Sequence, residues 1–213
     1  MKKESSYLKI KTHYEECLKK YGDSHLGVDW PNLKDAWLRY KIMVEVIRNT
    51  SKKVSMLDFG CGLSHLYSYI VDNDIKNIEY TGLDISQKFI NASRKKYPQN
   101  RYICADILTS KKSIGTFDYV VMNGVFTEKV EMTFEEMFIF FKKMVKRTFA
   151  ICRKGIAFNV MSKQVDWERH DLFHLSLDTL SDFLCKDVSR NFIIRNDYGL
   201  YEYTVYIYKK SYR

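Results

Sequence analysis

Proline is scarce in this chain: Pro31 and Pro98 are the only two in 213 residues, which excludes a proline-rich linker or a collagen-like segment. No run approaches the roughly 18 uncharged apolar residues that a membrane-spanning helix needs, and residues 1–6 lack the apolar core of a secretion signal. Apolar residues make up 46% and charged residues 29% of the chain, a balance typical of globular proteins. We therefore expect one soluble, cytoplasmic domain of ordinary size.

Cysteine is sparse and dispersed. The five cysteines lie more than thirty residues apart, at Cys17, Cys61, Cys104, Cys152 and Cys185. No CxxC pair occurs, so the spacing favours neither a disulfide framework nor a zinc site. We therefore expect no metal site, and we expect the protein to work in a reducing compartment.

Acidic residues are outnumbered, because 35 Lys and Arg stand against 26 Asp and Glu for a net charge of +9. Such an excess is typical of proteins that bind nucleic acid or an anionic substrate. The basic residues are scattered, the densest groups lying within residues 142–147 and 209–213, and no RNA-binding signature is present. A small-molecule substrate, which could carry a phosphate, is therefore favoured over nucleic acid.

Short apolar runs alternate with helical stretches after residue 50. The predicted strands are 54–58, 78–84, 101–105, 117–122 and 155–160, and the predicted helices are 64–73, 86–97 and 133–152. This alternation predicts an α/β, Rossmann-like fold with a mostly parallel sheet and helices on both faces. A short helix at 177–186 and strands at 192–195 and 200–208 predict an antiparallel hairpin at the end. The alternation of side chains in 200–208 is typical of a hairpin strand.

Helical spacing within residues 5–21 and from Pro31 onwards predicts two further helices, with Pro31 in the first turn of the second. We expect residues 1–50 to form a helical cap on the domain of residues 51–213. Thr133 and Glu136 form a predicted capping box at the start of the helix over 133–152.

A glycine-rich turn follows the first predicted strand, in the order Asp58, Phe59, Gly60, Cys61, Gly62. Glycine permits a tight turn and lets a ligand approach the backbone, and a helix start then offers free amides. Such a turn is also common as pure structure. Ser64 stands where a dinucleotide-binding turn has its third glycine, which weakens a pyrophosphate-binding interpretation.

The following strands also finish in polar residues. Asp84 ends the second strand, 22 positions after Gly62, Asp106 and Ile107 follow the third, and Asn123 follows the fourth. Each aspartate alone would suit a helix cap. Together they predict a binding crevice at the carboxyl edge of the sheet, where a carboxylate accepts hydrogen bonds from ribose hydroxyls.

With this set of strand ends, residues 53–160 resemble the class I S-adenosylmethionine-dependent methyltransferases. The resemblance implies a seven-stranded sheet with an antiparallel last strand and S-adenosyl-L-methionine as cofactor. It implies that the loop at Gly60, Cys61 and Gly62 faces the methionine part, with Asp58 near its ammonium. It further implies that Asp84 holds the ribose, that Asp106 meets the adenine amino group, and that Ile85 and Ile107 flank the ring.

Residues 22–30 are a candidate lid, in which Trp30 would stack on the cofactor and Arg39 would reach its carboxylate. A packing anchor is the more common role of a single Trp at a helix start. The loop after the fifth strand is rich in ionisable groups. Asn159, Lys163 and Arg169 are candidate substrate-binding residues, and His170, Asp166 and His174 are candidate proton acceptors. A solvated loop explains the same residues equally well.

The arrangement of residues 25–30, 58–65, 123–126 and 159–166 is also similar to small bacterial methyltransferases of surface-polysaccharide (capsule or O-antigen) assembly. This similarity implies O-methylation of a sugar, a sugar nucleotide or a phosphate-bearing capsule precursor. The alternatives are an RNA-modifying methyltransferase and a non-catalytic cofactor-binding module.

Overall fold

The computed structural model describes residues 6–110 and 113–211 of the chain. Its strands are β1 (Val54–Phe59), β2 (Ile78–Asp84), β3 (Arg101–Cys104), β4 (Phe117–Phe126), β5 (Cys152–Ser162), β6 (His174–Leu175), β7 (Phe192–Arg195) and β8 (Glu202–Tyr208). Its α-helices are α1 (Leu8–Tyr21), α2 (Leu33–Val44), α3 (His65–Asp72), α4 (Gln87–Lys96), α5 (Phe134–Ile151) and α6 (Leu177–Asp187), with a 3₁₀ turn at His25–Val28.

One sheet contains all of these strands, in the order β3-β2-β1-β4-β5-β8-β7, with the two-residue β6 paired to β5. The first five strands run parallel to one another, whereas β8 is antiparallel to both β5 and β7. The predicted α/β fold, with a mostly parallel sheet ending in an antiparallel hairpin, is confirmed. The short β6 is the one described strand that the sequence did not suggest.

Alternate residues of each strand enter two separate cores, one on each face of the sheet, as the two-residue repeat of a strand requires. Leu57 and Val120 pack with apolar residues of α5 and α6. Their neighbours Met56 and Val121 pack on the opposite face with residues of α2, α3 and α4. The two layers of helices hold the sheet rigid and leave its carboxyl edge free for a site.

Every residue of the last strand, β8, is buried, although its sequence alternates between two sets of side chains. This strand lies between β5 and β7 rather than at the edge, so both of its faces are covered. β4 also runs four residues beyond its predicted end at Met122, through a register shift against β5 before Phe126. Gly124 adopts a φ of 75° within this irregular stretch, a conformation that glycine accepts without strain.

Helix starts follow local capping chemistry. Thr133 and Glu136 form the predicted capping box of α5. Pro31 is not in the first turn of α2 as expected; Asn32 caps that helix through the amides of Lys34 and Asp35. Helix α2 is well packed, with Ala36 and Met43 fully buried, whereas α1 has no fully buried residue. None of the helices in the described residues is long and apolar enough to cross a membrane.

Candidate active site

A cleft of about 1140 Å³, its open mouth included, lies at the carboxyl edge of the sheet. Every residue predicted to bind the cofactor lines it except Arg39: these are Trp30, Asp58, Gly60, Cys61, Gly62, Asp84, Ile85, Asp106, Ile107 and Asn123. Side chains of α1 close the opposite wall, and Phe140 and Met144 of α5 reach it from one side. The topology thus brings strand ends that are distant in sequence to one place.

The glycine turn crosses the end of β2. The amides of Gly60 and Cys61 both donate to the carbonyl of Leu83, at 2.7 and 3.0 Å. Gly60 has a φ of 74°, and a Cβ added there would lie 2.8 Å from a methyl group of Val125. A side chain at this position would therefore be strained and would crowd the cleft wall.

Asp84 fastens the turn to β2. Its Oδ2 accepts the amide of Gly62 at 3.0 Å, and its Oδ1 accepts the amide of Ser86 at 2.8 Å. Burial raises the pKa of this carboxyl to about 6, although these amides favour the ionised form. A ligand that offers hydroxyl donors or positive charge would restore its ionisation.

Ser64, which replaces the third glycine of a dinucleotide turn, has a structural role of its own. It is fully buried with a φ of 56°. Its Oγ donates to the Tyr102 hydroxyl and accepts from the Tyr80 hydroxyl, both at 3.3 Å. Tyr80 in turn donates to Asp58 Oδ2 at 2.7 Å. The hydroxyl of Ser64 therefore holds the two phenols beneath the turn, which a glycine could not do.

Asp58 lines the cleft, and among the described residues Tyr80 is the one side chain that donates to its carboxyl. Burial raises the pKa of its carboxyl to about 7, and the charge of Asp84 raises it further. Two buried carboxyls with raised pKa values in one cleft suit a cationic ligand, because a positive charge stabilises the ionised form of both.

Two further strand ends differ in how they are held. Asp106 accepts hydrogen bonds from Tyr7 Oη at 2.7 Å, from Thr109 Oγ1 at 2.9 Å and from the amide of Leu108 at 2.9 Å. Asn123 Oδ1, in contrast, is buried and has no partner among the described residues. A buried acceptor without a donor is costly, and a donor of a bound cofactor would satisfy it.

Arg39 and Asn159 lie behind the cleft rather than in its wall. Arg39 Nε donates to Glu202 Oε2 at 2.9 Å. Asn159 is fully buried; its Oδ1 accepts the amide of Gly124 at 2.8 Å, and its Nδ2 donates to Glu202 Oε1 at 3.0 Å. The structure therefore does not support the expectations that Arg39 meets the cofactor carboxylate and that Asn159 contacts the substrate. Both residues support the backbone of Gly124.

Trp30 lines the cleft, as expected, and it also packs against the backbone of β4. Its ring lies against Gly124, where an added Cβ would approach Trp30 Cζ2 to 2.9 Å. The guanidinium of Arg39 lies 4.2 Å from the centre of the ring. The contact explains why residue 124 is a glycine.

The predicted proton acceptors after β5 do not line the cleft. Both ring nitrogens of His174 are engaged, since Nδ1 donates to the carbonyl of Ser162 at 2.6 Å and Nε2 accepts the amide of Arg169 at 3.2 Å. His174 is buried and braces this loop, so it does not act as a base in this arrangement. His170 and Asp166 are exposed, and Asp166 Oδ2 accepts from Tyr201 Oη at 3.3 Å.

The predicted substrate-binding cations of the same loop form local ion pairs. Lys163 Nζ lies 3.7 Å from Glu168 Oε1. Arg169 makes a two-pronged contact with Asp171, at 2.5 and 3.0 Å. Neither cation lines the cleft, so a role in substrate binding would need a bound molecule that extends beyond it.

Sequence reasoning expected the N-terminal helices near the acceptor, but it named no residue of helix α1 as part of the site. Tyr7, Ile10, Lys11 and Tyr14 of this N-terminal segment line the cleft. Helix α1 is anchored at both ends of the crevice, since Glu15 accepts from Ser86 Oγ at 2.6 Å and Lys9 pairs with Glu131. The helical spacing of Tyr7, Ile10 and Tyr14 was visible in the sequence, but nothing in that pattern indicates which surface the helix covers.

A second group that sequence reasoning missed adjoins the Gly124 end of the cleft. His13 Nε2 donates to Asp29 Oδ2 at 2.7 Å, and the pKa of His13 is raised chiefly by this hydrogen bond. Cys17 Sγ lies 3.9 Å from the same nitrogen. Glu128 is 9% exposed, and burial raises the pKa of its carboxyl to about 7. We refer to His13, Asp29 and Glu128 as the Glu128 cluster.

The ligand atoms of His13, Cys17 and Asp29 lie within 4.8 Å of one another, close enough for one metal ion to be shared. The expectation of no metal site was based on cysteine spacing alone, and it stays a prediction.

Comparison with known proteins agrees with this geometry. The model of the "Methyltransferase domain" family matches residues 57–147, from β1 into α5. A protein of Mycobacterium tuberculosis (strain ATCC 25618 / H37Rv), named "Putative methyltransferase Rv1506c", is 27% identical over 167 residues, which are 78% of this chain and 99% of that protein.

Two solved structures share the fold at low identity. The magnesium protoporphyrin IX methyltransferase ChlM of Synechocystis PCC 6803, with bound S-adenosylmethionine, superposes with a TM-score of 0.66 at 13% identity, over 99% of this chain and 100% of that one. The [4+2]-cyclase SpnF superposes with a TM-score of 0.60 at 15% identity, over 89% of this chain and 73% of that one. At these identities the likeness concerns the fold alone.

The domain match, the sheet order and the strand-end cleft agree with one another. Together they support an S-adenosylmethionine-dependent methyltransferase with a Rossmann-like fold.

Proposed function

We propose that this methyltransferase transfers a methyl group to an oxygen of a small polar acceptor, such as a sugar, a sugar nucleotide or a phosphate-bearing polysaccharide precursor. S-adenosylmethionine supplies that methyl group on a positively charged sulfur. The observation that supports the proposal is the Glu128 cluster, which adjoins the cleft near Gly124 without lining it: ionisable side chains there suit a hydroxyl-bearing acceptor, whereas most of the cleft surface is apolar.

The cofactor residues follow from the strand ends. Asp84 would accept hydrogen bonds from the ribose hydroxyls, and Asp58 would face the ammonium of the methionine part. Ile85 and Ile107 would flank the adenine, with Asp106 near its amino group. The buried carboxyls and the unpartnered Asn123 Oδ1 are features of this cleft that such a cationic, donor-rich ligand would satisfy.

The enzyme's main contribution would be to orient the reactants and to exclude water. Helix α1 is placed for this task, because it covers the cleft between Asp106, which accepts from Tyr7, and Gly124, whose carbonyl accepts from Tyr14 at 3.3 Å. None of its residues is fully buried, although Ile10 packs against one of the two cores. A helix held in this way can open to admit the ligands.

The reaction class must be tested directly, because the fold also occurs in a cyclase. Purified protein would be incubated with S-adenosylmethionine and a panel of nucleotide-linked sugars, and the products would be weighed by mass spectrometry. We expect at least one member to gain a single methyl group. If the protein binds the cofactor but methylates no panel member, the acceptor class is wrong.

The RNA-modifying alternative has a separate test. Phosphate contacts would give a steep salt dependence in a filter-binding titration with tRNA. We expect weak binding and a shallow slope, because the basic residues are dispersed along the chain. Tight, strongly salt-dependent binding, together with methylation of the RNA, would favour the alternative.

A further inference from the structure

We propose that His13, Cys17 and Asp29 form a binding site for a divalent metal ion of the zinc class. The bound ion would fasten helix α1 to the segment that carries Trp30. Such a site goes beyond the proposed function, because metal binding does not depend on which acceptor is methylated. It replaces the expectation of no metal site, which considered the spacing of the cysteines alone.

The three side chains supply the donor atoms that zinc prefers. They offer an imidazole nitrogen of His13, the sulfur of Cys17 and a carboxylate oxygen of Asp29. Zinc sites in proteins are built from these ligand types, whereas calcium and magnesium take oxygen ligands. A thiolate beside an imidazole therefore favours a zinc-like ion over the hard cations.

The distances between the donor atoms fit a single ion. His13 Nε2 lies 2.7 Å from Asp29 Oδ2 and 3.9 Å from Cys17 Sγ, and the three ligand atoms all lie within 4.8 Å of one another. In tetrahedral coordination with ordinary bond lengths to zinc, such atoms are about 3.3–3.6 Å apart. Side-chain adjustments of about 1 Å therefore bring the donors to coordinating positions.

Regular backbone structure positions the three ligands. His13 and Cys17 are four residues apart in α1, so they lie on one face of the helix, one turn from each other. Asp29 ends the 3₁₀ turn, where its amide donates to the carbonyl of Leu26 at 3.0 Å. Its φ of 60° is left-handed, a conformation that aspartate accepts more readily than most residues. The ligands therefore come from two ordered segments that face each other.

Packing does not account for Cys17. Cys152 and Cys61 are buried, one in each of the two cores, as small apolar residues often are. Among the described residues, Cys17 belongs to neither core. Its thiol is half-buried and lies next to His13 Nε2 instead. A role as a ligand explains this position.

The charge around the site favours a cation. The charged groups with the largest effects on Cys17 are Asp29, Glu128, Glu16 and Lys20, so three acids act against one base. Glu128 and Glu16 act on His13 as well. An excess of negative charge raises the local concentration of cations.

The exposure of the ligands lets an ion enter. The side chains of His13 and Asp29 are 33% and 38% exposed, so solvent reaches the donor atoms. Three protein ligands leave one position of a tetrahedral ion free, and water takes that position in many zinc sites.

The metal would join two parts of the cleft wall near Gly124. Tyr14, next to His13, lines the cleft and donates to the carbonyl of Gly124 at 3.3 Å. Trp30, next to Asp29, lines the cleft and packs against Gly124. An ion with ligands from both segments would hold α1 over the cofactor. Bound metal and bound cofactor would then strengthen each other's binding by the same factor, as linkage requires.

Cobalt(II) is the probe for this site, because it replaces zinc in tetrahedral sites and its bond to a thiolate gives a charge-transfer band in the near ultraviolet. The full chain, freed of metal by a chelator and dialysed, would be titrated with Co²⁺ and then with Zn²⁺. We expect cobalt to produce this band together with the visible bands of tetrahedral coordination, and zinc to abolish both. A spectrum without the charge-transfer band would overturn the proposal.

Variants assign the ligands. Cys17→Ser should lose the charge-transfer band, whereas the matched control Cys185→Ser, which removes an exposed free thiol of α6, should keep it. His13→Gln and Asp29→Asn should each weaken zinc binding about tenfold or more, since loss of even an outer-shell partner has an effect of this size. Asparagine also accepts the left-handed backbone at position 29. A band that persists in Cys17→Ser would overturn the proposal. Melting curves in chelator check that each variant is folded.

Calorimetry with S-adenosylhomocysteine tests whether the ion fastens α1. In the wild type, saturating zinc should raise the affinity for S-adenosylhomocysteine about fivefold or more, and in Cys17→Ser zinc should have no effect. Equal affinities with and without zinc in the wild type would refute the fastening of α1. None of these measurements uses an acceptor, so they give a result even if the proposed acceptor class is wrong.

Discussion

Arg39 Nε donates to Glu202 Oε2 at 2.9 Å, and this ion pair joins α2 to β8 across 163 positions of the chain. The side chain of Arg39 is 11% exposed and that of Glu202 is 0% exposed. Glu202 also accepts from Asn159, which holds the amide of Gly124. The pair therefore supports, from behind, the strand end that forms one wall of the cleft.

Replacement of Arg39 by alanine should destabilise the protein by about 3–5 kcal/mol, because it leaves the buried carboxylate of Glu202 without its cation. The measurement is urea unfolding of the cofactor-free protein. Lys41→Ala, which removes an exposed partner of Glu45 at 4.0 Å, is the control and should cost less than about 1 kcal/mol. Weak cofactor binding in Arg39→Ala at unchanged stability would instead favour a direct contact of Arg39 with the cofactor.

Replacement of Asp84 by alanine should weaken S-adenosylhomocysteine binding about 100-fold or more. The change removes the acceptor of the proposed ribose hydrogen bonds and the anchor of the Gly62 amide, and hydrogen bonds to a charged group contribute about 1.5–3 kcal/mol each. Calorimetry gives the affinity. Asp72→Ala, an exposed carboxylate at the end of α3, is the control, and equal affinities in the two variants would refute the assignment.

Cofactor affinity should rise with pH between about 5 and 8. The pKa values of Asp58 and Asp84 are raised to about 7 and about 6, so both carboxyls are largely protonated at pH 5, and a cationic ligand requires them ionised. Binding at pH 6 should therefore release protons, which calorimetry in two buffers of different ionisation enthalpy detects. Asp58→Asn should reduce the release; an unchanged value would show that Asp58 does not titrate on binding.

The same raised pKa values predict the opposite trend for the stability of the cofactor-free protein. A carboxyl that is protonated more readily in the folded than in the unfolded state contributes stability below its unfolded pKa of 3.8, and this contribution is lost as pH rises through about 6 and 7. Melting temperatures should therefore decline from pH 5 to pH 8. Asp58→Asn should flatten the decline, and a parallel decline in that variant would contradict the prediction.

Ser64→Ala should destabilise the protein more than Ser64→Gly does. Both variants lose the hydroxyl that contacts Tyr80 and Tyr102, at a cost of about 1–3 kcal/mol. Glycine also relieves the left-handed backbone at φ 56°, which alanine does not, and this relief is about 1 kcal/mol. Urea unfolding of the two variants measures the difference, and equal stabilities would show that the backbone conformation stores no strain.

Most of the fold could be predicted from local patterns. Apolar runs of four to eight residues, separated by helical stretches, indicate the parallel strands, and Thr133 and Glu136 mark the start of α5, because these signals depend on near neighbours. The burial of β8 could not be predicted in this way. It depends on which strands lie on either side, and a sequence pattern does not contain that order.

The residues of the candidate site also fall into those that the sequence could predict and those that it could not. Asp58, Gly60, Asp84 and Asn123 follow strands that the sequence identifies, and parallel strands bring their carboxyl ends to one edge. Arg39, Asn159 and His174 are as polar in the sequence as true ligands would be, but their partners lie 5 to 163 positions away. Their structural role therefore could not be predicted from the sequence.

The sequence by itself determined the alternation of strands and helices and the acidic residues at the strand ends, because chain connectivity and the two-residue repeat of a strand fix both. The tertiary structure alone decided that α1 covers the cleft, that Ser64 holds Tyr80 and Tyr102, and that Glu128 lies buried near His13 and Asp29. These contacts join residues distant in sequence, and such contacts form only when packing of the two cores brings the segments together.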